Sequence, residues 1–264
     1  MTTSAIYYLD KPFVYPSDSL IGRFLELGRG WDSFLAKVIP VLVEEEEPTI
    51  CEVGSNIGAS LMQILAAKPR ARVAVFEPSD RFRPYLLRNI EFARALDRVR
   101  VYPYLVGREA GVKKLYANTT TASTVGSDYS DYESRGEQLV EVVTLDGLVS
   151  GEQVHFIKID TDGFEFEVLR GAVNTLKAYR PSLHFEFAPY LLSEPSQNLL
   201  MWLQGLNYKR FLCLTPIGEF IGLTEDPFEA VAWAQASEHR FCDVVTCAKG
   251  SRAEAQMQNL KLCL

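Results

Sequence analysis

"TICEVGSNIGASLMQILAAKPRARVAVFE", residues 49–77, joins an apolar run, a glycine turn, a helical stretch and a second apolar run. The first run, "TICEV", has strand length and ends at Gly54. In the middle, "GASLMQILAAK" places Leu61, Ile64 and Leu65 on one inward helical face. "RVAVFE" then returns to strand character. Strand, helix, strand in this order is a βαβ unit, which predicts parallel strands with helices packed over them.

Outward from that unit the alternation continues. "VRVYPYLV" (99–106), "HFIKID" (155–160), "SLHFEF" (182–187), "YKRFLCL" (208–214) and "FCDVVTC" (241–247) complete seven strand candidates. "DRFRPYLLRNIEFARAL" supplies a further helix with Leu86, Leu87, Ile90 and Ala93 as its stripe. Seven strands suit an α/β fold with one doubly wound, mostly parallel sheet and helices on both faces. Only residues 112–143 break the rhythm. There "VKKLYAN" and "LVEVVTL" read as strands that extend the sheet or form a ribbon beside it. The polar stretch between them, rich in Thr, Ser and Tyr, is too long for a plain connection. It reads either as a lid closing over a substrate, with Tyr129 and Tyr132, or as disorder without a role.

Upstream, "DSFLAKVIPVLVEEEE" places Phe34, Leu35, Val38 and Leu42 on one helical face, and its acidic run at 44–47 is a solvated boundary before Pro48. Residues 1–47 are therefore read as a helical N-terminal extension, 48–250 as the main domain and 251–264 as a short terminal helix or tail.

Composition narrows the function classes. The 264 residues are 47% hydrophobic and 23% charged, close to globular averages. A formal net charge of −7 argues against a broad phosphate-backbone partner, so no nucleic acid is expected. The N-terminus lacks a basic stretch followed by an apolar one, so no signal peptide is expected. No apolar run approaches the roughly 20 residues that span a bilayer. Five scattered cysteines without CxxC spacing read as reduced thiols of a cytoplasmic protein. His155, His184 and His239 do not fall into ligand spacing, and no metal is expected.

The glycine turn has two readings: it shapes a tight strand-to-helix connection, or it brings bare backbone to a ligand. In open parallel sheets, ligands bind beyond the carboxyl ends of the strands, where this turn lies. Glu77 ends the next strand 23 residues after Gly54, the spacing at which an acid reaches a ribose diol. A carboxylate accepts from both hydroxyls; a capping or surface acid is the other reading. The turn reads E-x-G-x-N-x-G and not the G-x-G-x-x-G that seats a pyrophosphate. Glu52 would repel a pyrophosphate and favour an ammonium group. S-adenosylmethionine, with an adenosine, a sulfonium and an amino acid but no phosphate, fits Glu52, Gly54, Ser55, Asn56, Gly58 and Glu77 better.

A second stretch, residues 143–187, resembles the FkbM family of S-adenosylmethionine-dependent methyltransferases. The resemblance is carried by "TLD", "FIKIDTDGFEFEVLRGA" and "RPSLHFEF", and "CEVGSNIG" and "VFEPSDRFRPYLLRNI" match the family's cofactor half. Together these cover roughly residues 48 to 190. The resemblance implies a Rossmann-like methyltransferase fold. It also implies methyl transfer from S-adenosylmethionine to a hydroxyl of a sugar or natural-product small molecule, with S-adenosylhomocysteine as product. It assigns Glu52, Gly54, Asn56 and Gly58 to the methionine and sulfonium end and Glu77 to the ribose. The family commonly reads D-x-E-G after its fourth strand; this chain reads Asp160-Thr161-Asp162-Gly163, with the second acid one methylene shorter.

Asp160, Asp162 and Glu186 lie at or beyond carboxyl ends of strands, and Glu165 in the following first helical turn. Convergent carboxylates there can take a proton from a hydroxyl, hold a cation or orient a nucleophile. Alternatively, Asp160 binds backbone N–H groups and Glu165 is a helix-start acid. Lys158 reads as a partly buried cation pairing one of these acids. His184, on the same strand face as Glu186, is a general base or a packed core histidine. Asp160, Asp162, Glu186 and His184 form the candidate catalytic set. The aromatics Tyr7, Tyr8, Phe13, Tyr15 and Trp31 cover the site mouth, pack in the core or meet a second copy in a homo-oligomer. Two other functions stay open: a non-catalytic cofactor-binding scaffold, and a nicotinamide-dependent oxidoreductase, against which the missing G-x-G-x-x-G weighs.

Overall fold

The computed structural model describes residues 2–117, 121–124 and 136–263. Tyr129 and Tyr132, named above as lid side chains, lie outside them.

The chain opens with β1 (Thr3–Tyr8) and β2 (Lys11–Pro16), an antiparallel hairpin, followed by α1 (Leu20–Glu26) and α2 (Leu35–Leu42). The expectation of a helical extension holds for α1 and α2 and is corrected by this hairpin for the residues before them. Its turn residues, Leu9 and Asp10, both adopt positive φ (48° and 59°), the geometry of a type I′ turn. That turn favours Asn-Gly, so the usual sequence signal for a hairpin is missing. Exchanging Leu9→Asn and Asp10→Gly together should stabilise the protein by about 1 kcal/mol, because Leu9 is held where a branched side chain is strained. Urea unfolding reads this directly; an unchanged midpoint would show that the turn is not strained.

Next come β3 (Thr49–Val53), α3 (Ala59–Ala67), β4 (Arg72–Phe76), α4 (Arg83–Phe92) and β5 (Val99–Tyr102), two successive βαβ units. Then β6 (Leu105–Val106), β7 (Gly111–Ala117), β8 (Ala122–Ser123) and β9 (Gly136–Val143) form a separate ribbon in the order β6-β9-β7-β8. Of the two expectations for this region, the ribbon holds. The chain continues through α5 (Leu145–Leu148), β10 (Phe156–Ile159), α6 (Glu165–Arg170), α7 (Val173–Tyr179), β11 (Ser182–Phe187) and α8 (Gln197–Gly205). It finishes with β12 (Phe211–Leu214), β13 (Phe220–Thr224), α9 (Pro227–Ala236), β14 (Cys242–Thr246) and α10 (Arg252–Cys263).

The main sheet has the order β13-β12-β14-β11-β10-β3-β4-β5. All seven expected strands are present, and β13 is an eighth. It escapes a sequence reading because "FIGLT" centres on Gly222, and glycine weakens a strand signal. Here the Trp233 ring takes the place of a side chain, since a Cβ on Gly222 would lie 2.3 Å from it. Strands β11, β10, β3, β4 and β5 run parallel, while β14 is antiparallel to both β11 and β12.

Alternation along the buried strands sends side chains to two cores. Ile50, Val73, Val75 and Phe156 meet α2, α3, α4 and α10, whereas Val53, Phe76, Ile157 and Ile159 meet α5 to α9 and the ribbon. From β3 the chain winds outward to β5 and then returns to place β10 on the other side of β3. The boundary between β3 and β10 is thus the topological switch point, where open α/β sheets bind ligands.

The N-terminal segment is built into the first core. On α4 the buried amide of Asn89 donates to the carbonyls of Val14 (2.9 Å) and Ile57 (2.8 Å) and accepts from the Val14 N–H at 2.8 Å. It therefore fastens the hairpin to the glycine turn. α2 packs between α3 and α10, and Glu44 just beyond α2 is ion-paired with Arg252 at the start of α10. Among the described residues no helix is long and apolar enough to cross a membrane.

Candidate active site

The switch point gathers the glycine turn on one side and the β10 turn on the other. Gly54 adopts φ +81°, and a Cβ there would lie 1.7 Å from the carbonyl oxygen of Asp160. Gly58 adopts φ +90° and would bring a Cβ to 2.9 Å from Leu86 Cδ1. Each glycine therefore has a reason within the chain itself, and Gly54 sets the closeness of the two turns.

The acids of the turn are used in detail. Glu52 is fully buried and accepts from Ser55 Oγ at 2.7 Å and Ser60 Oγ at 2.6 Å, which draws the turn over the end of β3. Burial raises its carboxyl above the ordinary range, opposed by Lys158 and the two hydroxyls. Glu77, 4% exposed, accepts from the Asn56 N–H at 2.6 Å and the Ser79 N–H at 2.8 Å. Asn56 itself has φ 52°, and its side-chain Oδ1 accepts from the Ile57 N–H at 2.9 Å. Burial pushes Glu77 up to about 7, against the pull of those two N–H groups and of Arg83.

Across β3, β10 and β11, Glu52 pairs with Lys158 and Lys158 with His184, so three ionisable side chains stand in one row on the face covered by α2. The ammonium of Lys158, 1% exposed, contacts Asp160 Oδ2 at 3.0 Å and Asp32 Oδ2 at 3.5 Å. Burial alone would lower Lys158, but Asp160, Asp32 and Glu52 outweigh it and hold the ammonium well above its usual range. His184 is buried, its Nε2 2.8 Å from Asp243 Oδ1, with the Phe34 ring edge-on at 5.2 Å.

The β10 turn carries the remaining acids. Glu165 accepts from the Thr161 N–H (2.9 Å), Thr161 Oγ1 (2.8 Å) and the Gly163 N–H (3.1 Å), and so closes the turn. Asp162, at φ 52°, accepts from the Thr121 hydroxyl, and its carbonyl accepts from Ser123 Oγ at 2.9 Å. Both donors come from the edge of the ribbon. Burial, then Asp160, pushes Asp162 up to about 7. Glu186 is raised well above the ordinary range, first by burial and then by Asp160, Asp162, Glu165 and Asp243.

The fold thus brings Glu52, Gly54, Ser55, Asn56, Gly58 and Glu77 together at one turn, and Asp160, Asp162, Glu186 and His184 beside it. Asp160 is not an N–H-binding acid but the partner of Lys158. Two members, Asp32 and Asp243, were not singled out from sequence. Asp243 left a signal, a lone acid in the buried run "FCDVVTC", whereas Asp32 sits in an irregular loop that left none. Among the described residues, no group of three or more His, Cys, Asp or Glu is arranged to hold a metal ion.

Both turns and the acids that follow them fall inside residues 52–210, which match the family described as the Methyltransferase FkbM domain. The chain belongs to the FkbM family. Hexuronic acid methyltransferase AglP of Haloferax volcanii is 27% identical to it over 146 residues, covering 53% of this chain and 57% of that protein. A crystal structure of methyltransferase FkbM from Methylobacillus flagellatus KT is similar with a TM-score of 0.51 at 17% identity, covering 76% of this chain and 44% of that one. The second likeness is one of fold, and it agrees with a Rossmann-like methyltransferase sheet. The chain spans about half the length of these two relatives. Asp32 and Asp243 lie outside the FkbM match, although they pair with Lys158 and His184 within it.

Proposed function

We propose that this protein moves a methyl group from S-adenosylmethionine to a hydroxyl oxygen of a small acceptor, a sugar or a natural-product alcohol. The observation that carries this reading is Glu77. Its carboxylate stands at the end of β4 beside the glycine turn, fixed by two backbone N–H groups, with acceptor capacity left for a ribose diol.

The donor set fits the ligand. Glu52, Glu77 and Asp160 line the turn with carboxyl acceptors, which suit an ammonium and ribose hydroxyls and offer a pyrophosphate no donor; this weighs against the nicotinamide reading. When bound, S-adenosylmethionine supplies a methyl group already activated for displacement. The chain's part is then chiefly positioning. Gly54, Ser55, Asn56 and Gly58 shape the backbone against the amino-acid end, and Glu77 holds the ribose. Asp160, held in place by Lys158, orients the acceptor hydroxyl. Asp162, pushed up to about 7, is matched to take the hydroxyl proton near neutral pH. Glu186 and His184 complete the candidate catalytic set, with His184 held by Asp243.

We also take 48–250 as the methyltransferase domain, 1–47 as its extension and 251–264, read as a short terminal helix or tail, as the segment whose helix α10 packs on α2. The partner is a small molecule, the net charge of −7 weighing against nucleic acid. The free, buried thiols of Cys51, Cys213, Cys242 and Cys247 support a cytoplasmic setting.

Calorimetric titration with S-adenosylhomocysteine, with NADH as control, tests the ligand, and labelled methyl transfer to a sugar panel tests the reaction. Micromolar binding of S-adenosylhomocysteine alone, with label appearing in an acceptor, is the expected result. Heat with NADH instead would favour the oxidoreductase. Binding with no transfer to any acceptor would favour the scaffold.

A further inference from the structure

β4 ends at Phe76, and the chain then runs through Glu77, Pro78, Ser79 and Asp80. Glu77 still makes a ladder bond, its N–H donating to the Tyr102 carbonyl at 3.1 Å. Beyond it a side chain of the ribbon takes over. Gln138, half-buried on β9, accepts from the Asp80 N–H through Oε1 at 3.0 Å. Through Nε2 it donates to the Pro78 carbonyl at 2.8 Å. These two groups flank Ser79, and they are the donor and acceptor that a residue of a parallel neighbouring strand would pair. A side-chain amide suits the task, because it presents an acceptor and donors in one plane. Between the two bonds lies the Ser79 N–H, which donates to the Glu77 carboxylate at 2.8 Å. Arg83 ties the same stretch from α4, but it donates only to the carbonyls of Glu77 (3.3 Å) and Pro78 (3.0 Å) and leaves the Asp80 N–H to Gln138. The ribbon has a second grip as well: through β7 and β8 it carries Thr121 and Ser123 to the Asp162 turn.

We propose that Gln138 is a positioning residue for the cofactor: it sets the Glu77 carboxylate to receive both ribose hydroxyls, so that recognition of the ribose is governed from the ribbon. This deepens the proposed function and rests on the reading of Glu77 as the ribose acid. Gln138 acts through the backbone of Pro78 to Asp80 and need not touch the ligand. Without its amide, the Pro78 carbonyl and the Asp80 N–H turn to water, and the peptide between them is free to rotate. The Ser79 N–H then leaves Glu77, whose carboxylate keeps the Asn56 N–H and loses its fixed direction. A carboxylate fixed beforehand spends less of its binding energy on ordering, and two hydroxyls received together depend most on that direction.

The test titrates the full chain with S-adenosylhomocysteine and with its dideoxy analogue, which lacks both ribose hydroxyls. The wild type should prefer S-adenosylhomocysteine at least about tenfold, and Glu77→Ala should abolish that preference. In Gln138→Ala the preference should shrink to about threefold or less, with S-adenosylhomocysteine weakened and the affinity of the analogue unchanged. Gln138→Glu keeps the acceptor for Asp80 but turns an oxygen towards the Pro78 carbonyl. It should shrink the preference as well, and it decides the matter if the alanine variant does not fold. Leu139→Ala, the next residue of β9 but 72% exposed on its other face, should keep the full preference. A merely structural role for Gln138 would weaken both ligands together. That result, or a preference lost in Glu77→Ala but kept in the Gln138 variants, overturns the proposal and leaves the ribose reading standing. A preference untouched by Glu77→Ala, a wild type that does not distinguish the two ligands, or no binding of either overturns the ribose reading and the proposal with it.

Discussion

Replacing Glu77 with alanine is expected to weaken S-adenosylhomocysteine binding at least about tenfold, a loss of about 1.4 kcal/mol or more. The carboxylate faces the ligand's ribose and also fixes the N–H groups of Asn56 and Ser79, so alanine removes a contact and loosens two loops. Glu77→Gln separates the two roles, because its amide oxygen keeps one acceptor and the neutral shape.

The same residue sets a pH dependence of opposite sign for stability and for binding. In the folded protein Glu77 titrates at about 7, above its ordinary 4.5. Its contribution to stability is therefore fully present below about 4.5 and is lost as pH rises through 7, on the order of 3 kcal/mol in total. Asp32, raised to about 6, and Asp162, raised to about 7, act in the same direction. Ribose hydroxyls donate to the ionised form, so affinity should rise with pH up to about 7 and then level off. Melting temperatures without ligand should fall between pH 5 and pH 8, and the shift produced by S-adenosylhomocysteine should grow across the same interval. If Glu77→Gln leaves both slopes as they are, Glu77 is not the group responsible.

Lys158→Met is expected to cost about 3–5 kcal/mol, a large share of the 5–15 kcal/mol that holds most folded chains. The ammonium is 1% exposed and stands between Asp160 and Asp32, with Glu52 paired beside it in the next strand. Without it these acids repel one another in a place from which water is largely excluded. Adding Asp32→Asn should recover part of the loss, since one of the repelling charges goes with it. Chemical denaturation of the two single variants and the double variant measures the coupling. Strict additivity of the two losses would mean that Lys158 and Asp32 do not act on each other.

Much of this arrangement was open to a reader of the sequence, for identifiable reasons. The strands of the central sheet are buried on both faces, so they appear as compact apolar runs with helical stripes between them. Glu52, Glu77, Asp160 and Glu186 stood out as acids at or near carboxyl ends of such runs. Lys158 stood out as a cation inside one, and it does pair an acid. What stayed hidden depends on distant parts of the chain meeting. The hairpin at 3–16 has a turn of Leu-Asp, which gives no local signal. Asp32 has importance only because its loop folds onto Lys158, and Thr121 only because the ribbon edge reaches Asp162. The two glycines were legible as a turn, but that Gly54 answers first to the Asp160 carbonyl required three dimensions.

The packing of α2 against α10 has a consequence for how the molecule is made. During synthesis α2 leaves the ribosome well before the helix that covers it, because the whole main sheet lies between them in sequence. Through that interval its buried face of Leu35, Val38, Ile39 and Leu42 has no permanent neighbour on that side. Contacts between such distant segments form slowly, and exposed apolar surface invites aggregation meanwhile. Closure of this core therefore waits for α10, a helix that follows every strand of the main sheet.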